Sequence, residues 1–270
     1  MSAPPRTLAI AAIFRNENPY LVEWLEFHRL VGVEHFFLYD NDGGAEARAL
    51  LAPYLEAGIV TRHPWTHLDG TRHDRPTRLG ARDKNHLAFA HAARHHRSEC
   101  AWLLKIDLDE FLVPLDGDSL APLLARFDRA RVRGIQVPRI NFGHSGHRAR
   151  PPGLVIESYL LREAAVSDHK DIANTDFLSD NRFVNSAHRW GYRWLAGGRL
   201  VRPREVASLR IHHYYTKSLE ESLRRQNMMR TRPTSEAEWE AQNAQLNAVR
   251  DETMLRFAKA LHERVARPAR

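Results

Sequence analysis

Cysteine is almost missing from this sequence, which has one, Cys100, among 270 residues. A single cysteine excludes an internal disulfide and a metal cage built from cysteine ligands. Long apolar runs are missing too, since no window approaches the roughly 18 apolar residues that a membrane-spanning helix needs. Residues 1–7 lack the apolar core of a signal peptide. We therefore expect a cytoplasmic protein, with contact at the inner face of a membrane as a further option.

An excess of acidic residues is also absent, because 40 Lys and Arg face 33 Asp and Glu, giving a net charge of +7. Such a chain favours anionic partners: phosphates, nucleic acid or an acidic membrane surface. The sequence has no recognition-helix signature, no zinc-ligand spacing and none of the aromatic motifs of RNA-binding sheets. We therefore expect no nucleic-acid partner. The glycine-rich phosphate loop of many nucleotidyltransferases is likewise missing after the first apolar run.

What is present is concentrated in residues 102–114, WLLKIDLDEFLVP. Residues 102–106 predict a buried strand, which is followed at once by the carboxylates Asp107, Asp109 and Glu110. Two carboxylates at this spacing repel each other unless a cation lies between them, and Mg²⁺ or Mn²⁺ prefers such oxygen ligands. A solvated acidic turn is the alternative. The apolar residues on both sides favour a site.

Apolar runs alternate with helical periods along the first half of the chain. Strands are predicted at 8–14, 35–39, 59–62 and 102–106, and helices at 18–30, 45–56 and 83–96. This alternation predicts an α/β fold with a mixed, mainly parallel sheet flanked by helices. Ligands bind such sheets at the carboxyl ends of the strands. The polar residues expected to meet there are Asn16, Glu17, Asp40, Asp42, Asp107 and Asp109.

The second half of the chain gives weaker patterns. A helix is predicted at 119–130 and strands at 134–139, 154–162 and 211–215, whereas 163–199 is not assigned. Capping boxes begin two tail helices, at 219–230 and 236–265. We interpret residues 1–217 as one domain and residues 218–270 as a helical extension packed on it. The basic residues of the tail form a solvated face or contact anionic lipid or an acceptor phosphate. They are Arg224, Arg225, Arg230 and Arg232.

Four motifs occur in a suggestive order. They are F-R-N-E-N from Phe14, Y-D-N-D from Tyr39, W-x-x-x-I-D-L-D-E-F-L from Trp102 and H-Y-Y-T-K-S from His213. Together they resemble the glycosyltransferase family 92 and family 2-like group of nucleotide-sugar transferases. The resemblance implies a GT-A fold, Mn²⁺ or Mg²⁺ as cofactor, a nucleotide-sugar donor and a glycan or lipid-linked acceptor.

The resemblance also implies roles for individual residues. Asp107, Asp109 and His213 would hold the metal ion, and Glu110 belongs to the same D-E-F run. Donor contacts would come from the ends of the first two strands and from a late lysine. These residues are Phe14, Arg15, Asn16, Glu17, Asp40, Asn41 and Lys217. Lys170 resembles a lysine of a weaker family motif.

The sequence does not single out the base that an inverting transfer needs. Asp168 is our candidate beside the acids of the 107–110 segment, but Asp171, Asp176 and Asp180 have equal standing. Several other polar or aromatic residues have both a packing and a functional interpretation. They are His212, His213, His144, His147, Arg148, Trp190, Tyr192 and Trp194.

We therefore predict a metal-dependent, inverting glycosyltransferase that uses a UDP-sugar and takes part in polysaccharide synthesis. A basic nucleic-acid-binding protein and a nucleotidyltransferase on a similar sheet are the alternatives. Steep salt dependence of binding would mark the first alternative. Release of pyrophosphate instead of a nucleoside diphosphate would mark the second.

Overall fold

A computed structural model of the chain describes residues 6–41, 44–68, 84–179, 188–193, 197–225 and 235–270. Some residues singled out by the sequence lie outside these described ranges. They are Asp42, Asp180, Trp194, Arg230 and Arg232.

The described residues form eleven strands and eight α-helices. The strands are β1 (Arg6–Phe14), β2 (His35–Asp40), β3 (Val60–Pro64), β4 (Cys100–Lys105), β5 (Glu110–Pro114), β6 (Val132–Phe142), β7 (Leu161–Arg162), β8 (Asp168–Asn174), β9 (Arg199–Val201), β10 (Leu209–Tyr214) and β11 (Val249–Arg250). The helices are α1 (Asn18–Leu30), α2 (Ala45–Glu56), α3 (Lys84–His95), α4 (Leu120–Leu124), α5 (Val155–Ser158), α6 (Leu219–Arg225), α7 (Glu236–Leu246) and α8 (Ala258–Val265). Within these described ranges, no helix has the length and apolar character to cross a bilayer.

All the strands belong to one sheet, whose path runs β11-β7-β6-β8-β4-β1-β2-β3. β1 is parallel to its two neighbours, β2 and β4, and β3 continues the parallel arrangement beside β2. β8 then pairs antiparallel with both β4 and β6. The predicted α/β architecture, a mixed sheet flanked by helices, is confirmed. Each antiparallel pairing includes at least one strand from the second half of the chain.

β1 shows why the sheet is buried on both faces. Leu8, Ile10 and Ala12 pack into the apolar cluster that contains residues of α1 and α2. Ala9 and Ala11 face the second cluster, which contains residues of α3. A strand covered on both faces needs apolar residues at every position, which is why the run from Leu8 to Phe14 does not alternate.

The prediction of a strand at 154–162 is wrong, because that segment folds as the helix α5 and the short strand β7. The carboxylate of Glu23, buried on α1, accepts the backbone N–H groups of Val155 at 2.9 Å and Ile156 at 3.2 Å. The Glu23 side chain thereby accepts from N–H groups that the first turn of a helix leaves without partners.

The prediction of one long helix at 236–265 is also wrong, since α7 ends at Leu246 and β11 follows before α8 begins. β11 pairs with β7. Asp251, just after β11, accepts hydrogen bonds from Arg162 and Arg210, both at 2.7 Å. These long-range contacts interrupt the helix. The capping box between Ser218 and Glu221 is confirmed by the hydrogen bond from Glu221 N–H to Oγ of Ser218 at 3.3 Å.

Four strands, β5, β8, β9 and β11, were not predicted, and the helix predicted at 119–130 is limited to α4. β8 has the sequence DHKDIAN, in which buried charged residues hide the strand pattern. Lys170 and Asp171 of this strand are almost completely buried, with exposures of 0% and 1%. Charged side chains inside a strand fit a buried sheet only where partners neutralise them.

Trp239 ties α7 to the rest of the fold. Its side chain is fully buried and its ring stacks on His144, with the ring centroids 4.0 Å apart. Replacement of Trp239 by alanine is expected to lower the free energy of unfolding by about 3–5 kcal/mol, because a large buried side chain is lost. Urea unfolding followed by circular dichroism measures this change.

The control is Gln245→Ala, on the exposed side of the same helix. This variant should differ from the parent protein by no more than about 0.5 kcal/mol. Equal stability of the two variants would contradict the packing of α7 described here.

Candidate active site at the carboxyl edge of the sheet

The ends of β1 and β2 form one side of the candidate site. These parallel strands are in register up to Phe14 and Asp40, so the residues after them leave the sheet at the same edge. Phe14 is buried, whereas Arg15 and Asn16 are exposed. Asn16 has a φ of 58°, in the left-handed region that asparagine enters more readily than most side chains. This residue turns the chain from β1 into α1.

An open cavity of about 370 Å³ lies between the loop after β1 and the start of α2. Asn16, Asn18 and Glu46 provide polar groups on its wall. Nδ2 of Asn18 donates to Oε2 of Glu46 at 3.0 Å, which joins the two sides of the cavity. The cavity therefore lies at the part of the edge where the sequence places donor-binding residues.

Asp40 and Asn41 lie at this edge as expected, and both are buried. Arg62 on β3 contacts Oδ2 of Asp40 through Nε at 2.8 Å and through Nη2 at 2.6 Å. Lys84 donates from Nζ to Oδ1 of Asn41 at 3.1 Å. In this arrangement the two side chains join the end of β2 to β3 and α3.

The acid turn, residues 107–110, connects β4 to β5. Nζ of Lys170, a buried residue of β8, contacts Oδ2 of Asp107 at 2.7 Å and also forms an ion pair with Glu110. The backbone N–H of Asp107 donates to Oε2 of Glu110 at 2.9 Å. The Asp107 side chain keeps 41% exposure, whereas that of Glu110 has none. One carboxylate of the turn is therefore open to the site, and another is part of the core.

Glu110 is ionised although it is buried. Burial alone would raise the pKa of this carboxyl, but the charges of Lys170, His213 and Arg139 lower it below its usual range. Arg139 contacts Oε1 of Glu110 through Nη1 at 3.1 Å. These contacts assign Glu110 a supporting position beneath the edge of the sheet.

Asp109 points to another partner, His213. Oδ1 of Asp109 lies 3.5 Å from Nε2 of His213, and both residues are buried, with exposures of 8% and 7%. Strand pairing creates this contact, because β10 runs antiparallel to β5 with His213 opposite Glu110. Nδ1 of His213 lies 2.7 Å from Oδ1 of Asn141 on β6. An amide oxygen accepts only, so Nδ1 of His213 donates to Asn141 and Nε2 is the nitrogen directed at Asp109.

This pair fits the chemistry of a divalent cation. Neighbouring ligands of an octahedral ion with bonds of 2.0–2.1 Å are roughly 3 Å apart, and the observed separation of Oδ1 and Nε2 is 3.5 Å. A hydrogen bond from the second ring nitrogen to an acceptor is the usual way of orienting a histidine ligand. Asp107, the third predicted ligand, is held at 2.7 Å by Lys170.

Lys217 links the end of β10 to the loop after β1. It has a φ of 51° and a buried side chain. Its Nζ lies 3.2 Å from Oε2 of Glu17 and 3.5 Å from the centroid of the Tyr20 ring. Two predicted donor-binding residues, Lys217 and Glu17, therefore meet although they are far apart in the sequence.

Asp168 lies at the start of β8, beside the acid turn. Nη2 of Arg139, which also contacts Glu110, is 3.3 Å from Oδ2 of Asp168. Nδ1 of His188 is 2.6 Å from the same oxygen. Partial burial would raise the pKa of Asp168, but the backbone N–H of His169 and the charges of His188 and Arg139 lower it. Asp168 is thus an ionised, partly exposed carboxylate.

The other candidate bases have different surroundings. Asp171 is buried, accepts from Gln136 at 3.3 Å, and has a pKa raised by burial. Asp176 lies at the far end of β8, where it pairs with Arg129 at 2.7 Å. Among the described aspartates proposed as a base, Asp168 is the one that contacts Arg139, which also contacts Glu110 of the acid turn.

Several residues for which the sequence allowed either a packing or a functional role have packing roles in the structure. His212 is fully buried and accepts from Nε of Arg210 at 2.9 Å. Trp190 is buried under Nζ of Lys105, which lies 4.2 Å from its ring centroid. The Tyr192 hydroxyl is 3.5 Å from Asp171. Two more members of this group are internal to the fold, His144 through its stack with Trp239 and His147 through the carbonyl oxygen of Ser158.

Sequence analysis did not identify three residues that contact the candidate site. They are Arg139, Asn141 and His188. Arg139 and Asn141 are two residues apart on β6, so they share one face of the sheet. The predicted strand ended at Arg139, whereas β6 continues to Phe142. A strand extended by this alternation would have included Asn141. His188 lies in the segment that had no assigned pattern.

The chain is similar to one protein family over nearly its whole length. The profile described as Glycosyltransferase family 92 matches residues 6–263. A family 92 protein of Ricinus communis is 27% identical over 213 residues, which cover 78% of this chain and 35% of that protein. A family 92 protein of Oryza sativa subsp. japonica is 27% identical over 186 residues, which cover 68% and 29% of the two chains. The chain spans about a third of the length of these curated relatives.

A similar solved structure is the crystal structure of S. aureus TarS. It aligns with a TM-score of 0.40 and 10% sequence identity, over 86% of this chain and 41% of that chain.

The buried contact of Lys170 is expected to dominate the local stability. Lys170→Met should lower the free energy of unfolding by about 3–5 kcal/mol, because Glu110 stays buried with one compensating charge fewer. Urea unfolding measures the loss. The double variant Lys170→Met with Glu110→Gln should recover at least about 1 kcal/mol, since it also removes the buried charge.

Arg126→Met is the matched control, because it breaks an ion pair with Asp116 whose side chains are 58% and 64% exposed. An exposed pair of this kind contributes about 0–1 kcal/mol. If Lys170→Met were no less stable than Arg126→Met, the buried ion pair would have no structural role.

Proposed function

The chain belongs to glycosyltransferase family 92, and we propose on this basis that it transfers a sugar from a nucleotide-sugar donor to a hydroxyl group of an acceptor. The family match extends over residues 6–263. We further propose a UDP-sugar as donor, Mn²⁺ or Mg²⁺ as cofactor, a site of the GT-A type and inversion at the anomeric carbon. A glycan or lipid-linked acceptor suits the net charge of +7, because acceptors that carry phosphate are anionic.

The contact between Asp109 and His213 is the observation that carries this proposal. A carboxylate oxygen and an imidazole nitrogen lie 3.5 Å apart, and both residues are largely withdrawn from solvent. Asn141 orients the imidazole so that Nε2 faces Asp109. Such a preorganised pair is suited to hold a divalent cation, with Asp107 at the more exposed end of the same turn.

The loop after β1 supports a donor position next to this pair. Lys217, four residues after His213, contacts Glu17, which is adjacent to the cavity residue Asn16. A nucleotide in the 370 Å³ cavity would direct its diphosphate toward the ends of β4 and β10. Arg15 and Asn16, which are both exposed on this loop, would contact the donor.

Cleavage of the donor leaves negative charge on the departing nucleoside diphosphate. When bound, a divalent cation supplies the Lewis acid that neutralises this charge. Lys217 adds a positive charge from the chain itself at the same edge, and its burial beside Tyr20 fixes its position. The reacting sugar carbon has oxocarbenium character, as in glycoside hydrolysis.

The acceptor hydroxyl needs a group that takes its proton as the new bond forms. We assign this role to Asp168, whose lowered pKa keeps the carboxylate ionised at neutral pH. His188 and Arg139 hold its Oδ2 at 2.6 and 3.3 Å. Asp168 and Asp107, which have partly exposed side chains, would then face the acceptor side of the site.

Asp109→Ala is expected to abolish Mn²⁺-dependent donor turnover, with a fall in kcat/KM of at least about 100-fold. Release of nucleoside diphosphate from a panel of nucleotide sugars, with Mn²⁺ and after EDTA treatment, measures the effect. Circular dichroism checks that the variant is folded. The control is Asp116→Ala, which removes an exposed carboxylate and should retain full turnover.

Normal turnover by Asp109→Ala would reject its role in metal binding. Formation of pyrophosphate in place of nucleoside diphosphate would reject sugar transfer and favour a nucleotidyltransferase. Stabilisation by one nucleotide sugar only in the presence of Mn²⁺, in a thermal-shift panel, would identify the donor.

Asp168→Asn should lower kcat by about 10²–10⁴-fold, because the amide cannot accept the proton. The thermal shift caused by donor and Mn²⁺ should remain, since the donor side of the site is unchanged. Asp176→Asn is the matched control on the segment after β8 and should leave kcat unaltered. Wild-type kcat in Asp168→Asn would exclude Asp168 as the base.

A further inference from the structure

Three histidines converge on the face of the sheet that α3 covers, away from the acid turn. His63 is on β3, His91 is on α3 and His96 follows the end of α3. Each offers one ring nitrogen, and the three nitrogens lie within 4.8 Å of one another. No other set of three metal-ligating side chains in the described ranges converges in this way.

The spacing of the rings matches that of three imidazoles around one ion. The ring centroids of His63 lie 4.8 Å from His91 and 5.0 Å from His96, and those of His91 and His96 are 5.9 Å apart. Three imidazoles bound tetrahedrally, with bonds of 2.0–2.1 Å, place their centroids about 5 Å apart. Nε2 of His63 and Nε2 of His96 already face each other at 2.9 Å.

Outer partners orient two of the three rings. Nδ1 of His96 lies 2.6 Å from Oε1 of Glu99, and Nδ1 of His91 lies 2.9 Å from the hydroxyl of Tyr39. A carboxylate on the far nitrogen of a histidine is the arrangement that supports metal-bound imidazoles in proteins. Both contacts leave Nε2 of the ring for another partner.

The protonation state of His63 and His91 also suits the binding of a cation. Burial, with the neighbouring histidines as a second cause, lowers the pKa of both His63 and His91 to about 4. Neutral imidazoles bind metal ions without first releasing a proton. The rings pack among aromatic side chains, with Phe37 stacked on His96 at 4.0 Å and Tyr39 on His63 at 4.9 Å.

We propose that His63, His91 and His96 bind one Zn²⁺ ion, which fastens β3 to the end of α3. Three nitrogen ligands select a borderline transition metal such as Zn²⁺, whereas the oxygen-containing pair at the acid turn suits Mn²⁺ or Mg²⁺. A water molecule completes the tetrahedron, because His63 and His91 remain partly exposed. This site is separate from the proposed transferase site and does not depend on it.

The experiment uses the full chain, free of any histidine tag and stripped with EDTA. Titration with Zn²⁺ is expected to give one tight equivalent, and Co²⁺ should give the visible absorption of a tetrahedral site. Saturating Zn²⁺ should raise Tm by about 5 °C or more, because only the folded chain presents the three rings together. Asp109→Asn should retain this equivalent, which separates the site from the acid turn.

His63→Gln and His91→Gln should each weaken Zn²⁺ binding by more than about 100-fold. Loss of an outer partner of a ligand weakens binding by up to about 100-fold, and loss of the ligand itself should cost more. His95→Gln is the matched control, since His95 is exposed and its ring lies 4.3 Å from that of His91, yet it is outside the set of three. It should keep both the affinity and the Co²⁺ spectrum. Circular dichroism and the metal-free Tm show whether each variant is folded.

The proposal is overturned if the parent protein binds no stoichiometric Zn²⁺, or if its Co²⁺ spectrum is octahedral. It is also overturned if the two glutamine variants bind as tightly as the parent, or if His95→Gln removes the site. If a glutamine variant fails to fold, the Co²⁺ spectrum of the parent protein still tests the proposal by itself.

Discussion

Lys170 lies between Asp107 and Glu110, and the arrangement of the site depends on this contact. A carboxylate as deeply buried as that of Glu110 is stable in its ionised form only beside positive charge. Lys170 and Arg139 supply that charge from two neighbouring strands. These contacts hold Glu110 inside the fold, and the residue before it, Asp109, meets His213 on β10.

Antiparallel strands from the second half of the chain complete an edge that parallel strands begin. β8 brings Lys170 and Asp168 beside the acid turn, and β10 brings His213 to Asp109. β6 pairs with both of these strands and contributes Arg139 and Asn141. The edge therefore joins the loops after β1 and β2, which form the proposed donor side, to a side rich in paired charges, which is the proposed acceptor side.

The two faces near β2 and β3 have different chemistry. Asp40 pairs with Arg62, whereas the adjacent Tyr39 points to the other face and contacts His91. Alternation of side chains along a strand produces this separation within two residues. The pair of Asp109 and His213 offers a carboxylate and one imidazole, whereas the histidine cluster offers three imidazoles. These two ligand sets prefer different cations. The two proposed cation sites therefore differ in the type of ligand that each offers.

Local periodicity in the sequence was enough to predict the α/β architecture and the polar residues that end the strands of its first half. The sequence also predicted Asp109 and His213 as partners through the motifs that contain them. Tertiary structure alone decided that Asp107 pairs with Lys170, that Asp168 shares Arg139 with the acid turn, and that β11 interrupts the tail helix. The same holds for the three histidines, which come from β3, from α3 and from the residue after α3. These contacts join residues distant along the chain, and their choice depends on strand order and register, which no local pattern specifies.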